Sequence, residues 1–285
     1  MTDHSYLSKI IEGYDDPTQN FLKSFLDKLN STESSLLVHG DSVHGRFLHN
    51  AFACELERLK HTHAYRLPYD RMGVIIPTGG VPIKFKPTQY LVTKQIERDL
   101  LELLNVSKNI VFVLNTGLHY SNDPLYPNLV NRRTDLRISL IATFTFLDGF
   151  ASKFNYSNFT FLYLETAAQH WEYNNHVLNG SIWHINPLKT GYYAGQNIRL
   201  RCSPILDTSK ENDWRNYEVW DVLQQNHFFQ GSNVHFEVIP FRSLTEDMWD
   251  THLGGDYKDC THYCWSPMML QPVFKALAQA VLGVN

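Results

Sequence analysis

Three short segments, far apart in a chain of 285 residues, carry side chains of the types an acyl-transfer centre would need if the fold brought them together. Near the amino end, an apolar run over residues 35 to 39 passes into Gly40-Asp41-Ser42, which sets a serine hydroxyl at a tight turn before a helix-like stretch. Such a position exposes the hydroxyl to a ligand and lets nearby backbone N–H groups face a developing oxyanion. Near the carboxyl end, Asp259-Cys260-Thr261-His262 places a carboxylate three residues before an imidazole. An aspartate that accepts the Nδ1–H fixes the tautomer and leaves Nε2 to take the serine proton. Serine needs that base, because its hydroxyl is a poor nucleophile at neutral pH. Between them lies Asn115-Thr116-Gly117-Leu118-His119-Tyr120, at the end of a second apolar run. An asparagine or histidine there is a side-chain donor to the oxyanion, worth about 3 kcal/mol in measured oxyanion holes.

Each segment also has a plainer reading. Asp41 or Ser42 caps the helix beginning near Val43, and residues 115 to 120 form a glycine-assisted turn with a polar rim. Cys260-x-His262-x-Cys264 offers sulfur and imidazole to a metal. Zinc needs three or four ligands, the spacing matches no common finger, and Cys54 and Cys202 are distant, so no metal is assigned and disulfides suit these sulfurs better. Gln169-His170-Trp171 follows a third apolar run. Gln169 and His170 are candidates to position an acceptor and Trp171 to stack on a sugar ring, against a packed strand end as the alternative. Arg46, one helical turn after Ser42, either binds a substrate carboxylate or pairs with an acidic neighbour.

The elements that must hold these residues follow from periodicity. Apolar runs at residues 35 to 39, 109 to 114, 159 to 164 and 234 to 240 read as buried strands. Helical periodicity covers residues 46 to 60, 88 to 104, 134 to 154, 213 to 227 and 267 to 282, with Pro267 suited to a first helical position. Strands alternating with helices predict an α/β three-layer sandwich around a central, mostly parallel sheet. In such sheets ligands collect outside the carboxyl ends of the strands, where the polar segments fall. No repeat, low-complexity tract or linker divides the chain, so residues 1 to 285 are expected to form a single domain. The proline- and glycine-marked stretch near 61 to 87 and the stretch 172 to 212 are expected to be irregular excursions that wall a cleft.

Composition narrows the partners. A net charge of −4, from 25 basic and 29 acidic residues, gives no electrostatic reason to bind nucleic acid or an anionic membrane. No apolar run reaches the roughly 20 residues that cross a bilayer, so the chain is not expected to insert into a membrane. The first 30 residues show no signal pattern, so a lumenal address would have to lie outside this chain. The four cysteines allow two disulfides in three connectivities. Acceptor triplets for N-glycosylation occur at Asn30, Asn105, Asn155, Asn158 and Asn179, a leaning towards secretion, although Asn105 and Asn158 border predicted elements.

The order of the segments is more telling than any one of them. A strand-terminal Gly-Asp-Ser, a central Asn/Gly/His strand end and Asp-x-x-His before the last helix resemble the SGNH, or GDSL-type, hydrolase plan. Gly40-Asp41-Ser42 with Arg46, Asn115-Thr116-Gly117, Gln169-His170-Trp171 and Asp259-Cys260-Thr261-His262-Tyr263-Cys264 are similar to the PC-esterase branch, which includes the trichome-birefringence-like polysaccharide O-acetyltransferases. Two departures stand out: Leu118 precedes His119 where plant members place a histidine directly after the glycine, and Trp265-Ser266-Pro267 replaces their Leu-Pro-Gly. The resemblance implies an SGNH-like fold and a triad of Ser42, His262 and Asp259, with Asp41, Asn115, Gly117 and His119 at the oxyanion site. It implies an acyl donor and a carbohydrate or other hydroxyl acceptor as partners, no cofactor, and a Golgi-lumenal or secreted location, with the cytoplasm as alternative. An inactive glycan-binding relative and a general lipid or small-ester hydrolase are the competing readings.

Overall fold

Alternate residues of the central strands are apolar towards opposite faces, and this alternation builds the layers. In a computed structural model of the chain, the described residues are 21–41, 43, 62–64, 74–77, 83–88, 90–120, 132–173, 176–177, 200–202, 204–205, 213–248 and 267–282. Strands β1 (Ser34–Gly40), β2 (Thr62–Ala64), β3 (Val74–Pro77), β4 (Ile83–Pro87), β5 (Asn109–Leu114), β6 (Asn158–Leu164) and β10 (Val234–Ile239) form one sheet in the order β10-β6-β5-β1-β4-β3-β2. The five strands from β10 to β4 are parallel, and β3 and β2 complete one side antiparallel. Leu36, Val38, Val111, Val113, Leu162 and Leu164 face helices α1 (Phe21–Ser31) and α6 (Pro267–Leu282). Leu37, Ile110, Phe112, Leu114, Phe159, Phe161 and Tyr163 face α2 (Thr93–Leu104), α3 (Arg132–Lys153) and α4 (Trp214–Asn226). The protein is an α/β three-layer sandwich, with a sheet apolar on both sides as parallel strands require.

The four predicted strands and the helices α2, α3, α4 and α6 occur within a few residues of their expected bounds. Residues 46 to 60 lie outside the described set. The stretch 61 to 87 corrects the expectation of an irregular excursion, since it supplies β2, β3 and β4 to the main sheet. Val74-Ile75-Ile76 and Ile83-Lys84-Phe85 are strand sequences, and Pro77 and Pro87 close their strands rather than interrupt them. The stretch 172 to 212 is likewise not wholly irregular. Strands β7 (Trp171–Tyr173), β8 (His176–Val177) and β9 (Leu200–Cys202) pair antiparallel in the order β8-β7-β9. Cys202 is disulfide-bonded. A one-turn helix, α5 (Arg242–Thr245), follows β10. Among the described residues no helix is long and apolar enough to cross a membrane.

Candidate active site

Two of the predicted segments meet at the carboxyl edge of the sheet. β1 and β5 are adjacent and parallel, and the Asn115 N–H donates to the His39 carbonyl at 2.9 Å, so the chain leaves both strands at one level. Asp41 is 1% exposed, and its Oδ1 accepts the Val43 N–H at 2.9 Å. This bond agrees with the capping chemistry of a short polar side chain. Ser42, Arg46, Asp259 and His262 lie outside the described residues, as do Cys54, Cys260 and Cys264.

The loop after β5 is held by its neighbours. Asn115 is fully buried, and its Nδ2 donates to the Leu164 carbonyl at 2.8 Å, tying the ends of β5 and β6 together. One amide hydrogen is thereby committed, and the Nδ2 group carries a second. Asn115 Oδ1 and Thr116 Oγ1 are buried with no hydrogen-bond partner. Gly117 has φ of +148°, and a Cβ there would stand 2.4 Å from Thr166 Oγ1, so both the backbone conformation and the close approach demand glycine. Leu118, the residue inserted relative to the plant pattern, is fully buried in the core against α1 and α6. His119 is half-buried, with its ring 6.1 Å from that of Tyr90. The insertion therefore places an apolar side chain in the core and leaves the histidine nearer the rim.

Gln169 and His170, expected to position an acceptor, are buried instead at 0% and 1% exposure. Gln169 Nε2 donates to the Ala168 carbonyl at 3.1 Å, while Oε1 finds no partner. His170 Nε2–H donates to the Glu246 carbonyl at 2.8 Å. Burial lowers the His170 pKa to about 4, with the Arg242 charge adding to the effect, so the ring is neutral at physiological pH. Trp171 opens β7.

Several residues that sequence patterning missed form a buried polar layer beneath these loops. The Glu165 carboxylate accepts the N–H groups of Phe241 and Arg242 at 3.1 and 3.2 Å, capping α5. Burial raises its pKa, and these two donors oppose the rise. Asn216 Oδ1 accepts the Thr166 N–H at 2.8 Å, and its Nδ2 donates to the Thr166 carbonyl at 3.1 Å and to Asp213 Oδ1 at 2.7 Å. Tyr163, whose pKa burial pushes up, donates its hydroxyl to the Thr116 carbonyl. Arg215 is 3% exposed, and its Nε donates to the Tyr120 carbonyl at 2.9 Å. Burial and the Arg242 charge lower its pKa to about 9, which leaves it a cation at neutral pH, and Asp213 and Asp41 oppose that loss. Burial drives Asp213 up to about 7 despite Arg242, whose Nε stands 3.5 Å away. The signal for Arg215 was present: it shares the buried stripe of α4 with Val219 and Val222, where arginine is out of place without a polar task.

A second buried charge cluster lies on β1, β4 and α2. His39 Nε2 donates to Asp99 Oδ2 at 3.1 Å, and Lys84 Nζ bonds Asp99 Oδ1 at 2.7 Å and also Glu102. Burial favours the neutral carboxyl of Asp99, but the bonds from His39 and Lys84 outweigh it and hold its pKa at about 2. Burial lowers the His39 pKa. His39 and Asp99 are closed to solvent, Glu102 lies at the surface, and the cluster ties β4 to β1 through α2.

A cleft of about 320 Å³ opens at the opposite, amino edge between Thr32, Ser34, Asn109 and Asn158, and none of the predicted site residues lines it. No group of His, Cys, Asp or Glu among the described residues could hold a metal ion. At the carboxyl edge the Arg215 guanidinium lies under the 115–120 loop, with the Asp41 and Asp213 carboxyl groups acting on it. No protein-family model matches this chain, and a search of curated proteins finds no match either.

Proposed function

We propose that the protein is a serine-dependent acyl esterase or O-acyltransferase of the SGNH type, acting on a carbohydrate through an acyl-Ser42 intermediate. The observation that carries this reading is the Asn115 N–H bond to His39, which sets the Asp41 turn and the Asn115–Gly117 loop side by side at the carboxyl edge. In this reading Ser42 Oγ attacks the acyl carbon while His262 takes its proton and Asp259 holds the imidazole. The Ser42 N–H, with Asn115 Nδ2 or His119, holds the oxyanion. The second amide hydrogen of Asn115 fits the donor role; the distance of His119 from the strand end, with Leu118 buried between, fits it less well. The leaving group then departs with the proton from His262, and a sugar hydroxyl or water, deprotonated by the same ring, discharges the acyl group.

The test is intact mass after brief exposure to an activated acetyl ester. The expected result is an adduct of about 42 Da, the mass of acetyl replacing hydrogen, mapped to Ser42 and absent in Ser42→Ala. An unmodified wild-type chain, or an adduct that persists in Ser42→Ala, overturns the reading.

A further inference from the structure

Four of the five Asn-x-Ser/Thr triplets fall on described residues, and all four lie on one edge of the sheet, the amino edge. Asn30 stands in the last turn of α1 before β1, Asn105 caps α2 before β5, Asn155 lies between α3 and β6, and Asn158 opens β6. Because β1, β5 and β6 are parallel neighbours, these positions form a row at the end of the sheet away from the proposed site.

The four differ in what their side chains do. Asn30, Asn105 and Asn155 are exposed, and none of their side chains makes a hydrogen bond among the described residues. Asn158 Nδ2 instead donates to Asn109 Oδ1 at 2.8 Å, and Asn109 Nδ2 donates to the Thr32 carbonyl at 2.6 Å, a chain that joins the starts of three strands. The hydroxyls two residues on are already engaged or covered: Thr32 Oγ1 donates to the Lys28 carbonyl at 2.8 Å, Ser107 Oγ to the Glu33 carbonyl at 2.5 Å, and Ser157 is 1% exposed. An enzyme that reads the triplet must therefore act before this edge folds. The disulfide at Cys202 is an independent pointer to the compartment, because such bonds persist where the surroundings are oxidising.

We propose that Asn30, Asn105 and Asn155, whose side chains are exposed and uncommitted among the described residues, are N-glycan attachment sites. In the modification, the amide Nδ2 attacks the anomeric carbon of a lipid-pyrophosphate-linked oligosaccharide. The carbon–oxygen bond to the pyrophosphate breaks, the N–C bond forms, the amide proton goes to a base, and the lipid pyrophosphate leaves. No oxidation or reduction occurs. The glycans then coat the amino edge and leave the carboxyl edge open.

The experiment is peptide mapping of the chain isolated from its native cells, before and after an amidase that converts each glycan-bearing asparagine to aspartate. Conversion at positions 30, 105 and 155 is expected, as is loss of one glycan step each in Asn30→Gln, Asn105→Gln and Asn155→Gln expressed in the same host. Bare asparagines at all three positions overturn the proposal and return the triplets to ordinary helix-end chemistry. Neither result touches the esterase reading, which the Ser42 adduct tests separately.

Discussion

The two ends of the sheet are built to different rules. At the amino edge, helices return to strands through short connections: residues 32 to 33 lead into β1, 105 to 108 into β5 and 154 to 157 into β6. Such links are short and present exposed asparagines to solvent. At the carboxyl edge, residues 115 to 131 separate β5 from α3, and 165 to 213 separate β6 from α4. Here Asp41, Asn115, Thr116, Gln169, His170 and Arg215 are all almost fully buried. Asn115, Thr116, Gln169 and Trp214 each keep a buried polar atom without a partner, whereas the amino edge leaves only the hydroxyls of Ser35 and Ser157 so among the described residues. Each such atom costs about 1–3 kcal/mol. Such atoms gain a fold nothing in stability, and their concentration at the carboxyl edge is what the function proposed for that edge would explain.

The comparison breaks most visibly through activity. If the carboxyl edge is the catalytic end, Ser42→Ala and His262→Ala abolish hydrolysis of an acetylated chromogenic ester, and Asp259→Asn lowers turnover about 10⁴-fold through the wrong imidazole tautomer. Near-normal turnover in Ser42→Ala would end the covalent reading while leaving the fold untouched.

Next in size is Gly117→Ala, which puts a methyl group 2.4 Å from Thr166 Oγ1 on a backbone at φ +148°. A loss of at least about 2 kcal/mol in a urea melt is expected. Adding Thr166→Ala recovers part of it, since the collision goes and the backbone strain stays. Full recovery would assign the whole cost to the collision.

A smaller effect concerns pH. The Asp213 carboxyl keeps its proton to about 7 in the folded chain, whereas an unfolded aspartate loses its own near 3.9. The unfolded state therefore sheds the proton first, and stability falls as pH rises from about 4 to 7. Asp213→Asn removes that fall, read as a flatter melting temperature against pH. His170, neutral down to about 4 when folded, acts oppositely: stability falls as pH drops from about 6.5 to 4, and His170→Gln removes that limb.

The smallest expected effect lies at the other end. Asn158→Ala loses the exposed bond to Asn109 and should change stability by no more than about 0.5 kcal/mol, with ester hydrolysis unchanged. A cost comparable to that of Gly117→Ala would erase the contrast between the edges.

Much of the layer architecture was legible along the chain. Leu36-Leu37-Val38 and Ile110-Val111-Phe112-Val113 are continuous apolar runs that only a doubly covered sheet can bury. The prolines between residues 61 and 87 obscured β3 and β4, because a proline that ends a strand reads like one that forbids it. Helix α1 escaped notice although Leu22, Phe25, Leu26 and Leu29 carry its buried face. At the site, Asp41, Asn115 and Gly117 were singled out by type and spacing, and the structure places Asp41 and Asn115, both buried, with Gly117 at one edge of the sheet. Gln169 and His170 were read as positioning an acceptor or as a packed strand end, and burial with bonds to the Ala168 and Glu246 carbonyls is what the structure shows.

By itself the sequence determined which stretches must hide from water and in what alternation, because apolar periodicity is a local property of the chain. It also placed the polar residues at the strand ends, because strand ends are where the apolar runs stop. Which of those polar residues support one another was decided only by tertiary structure. Arg215 under Tyr120, Asn216 against Thr166 and Glu165 on the start of α5 each join segments distant in sequence. Burial and hydrogen-bond geometry, which set their charge states, exist only once those segments have packed.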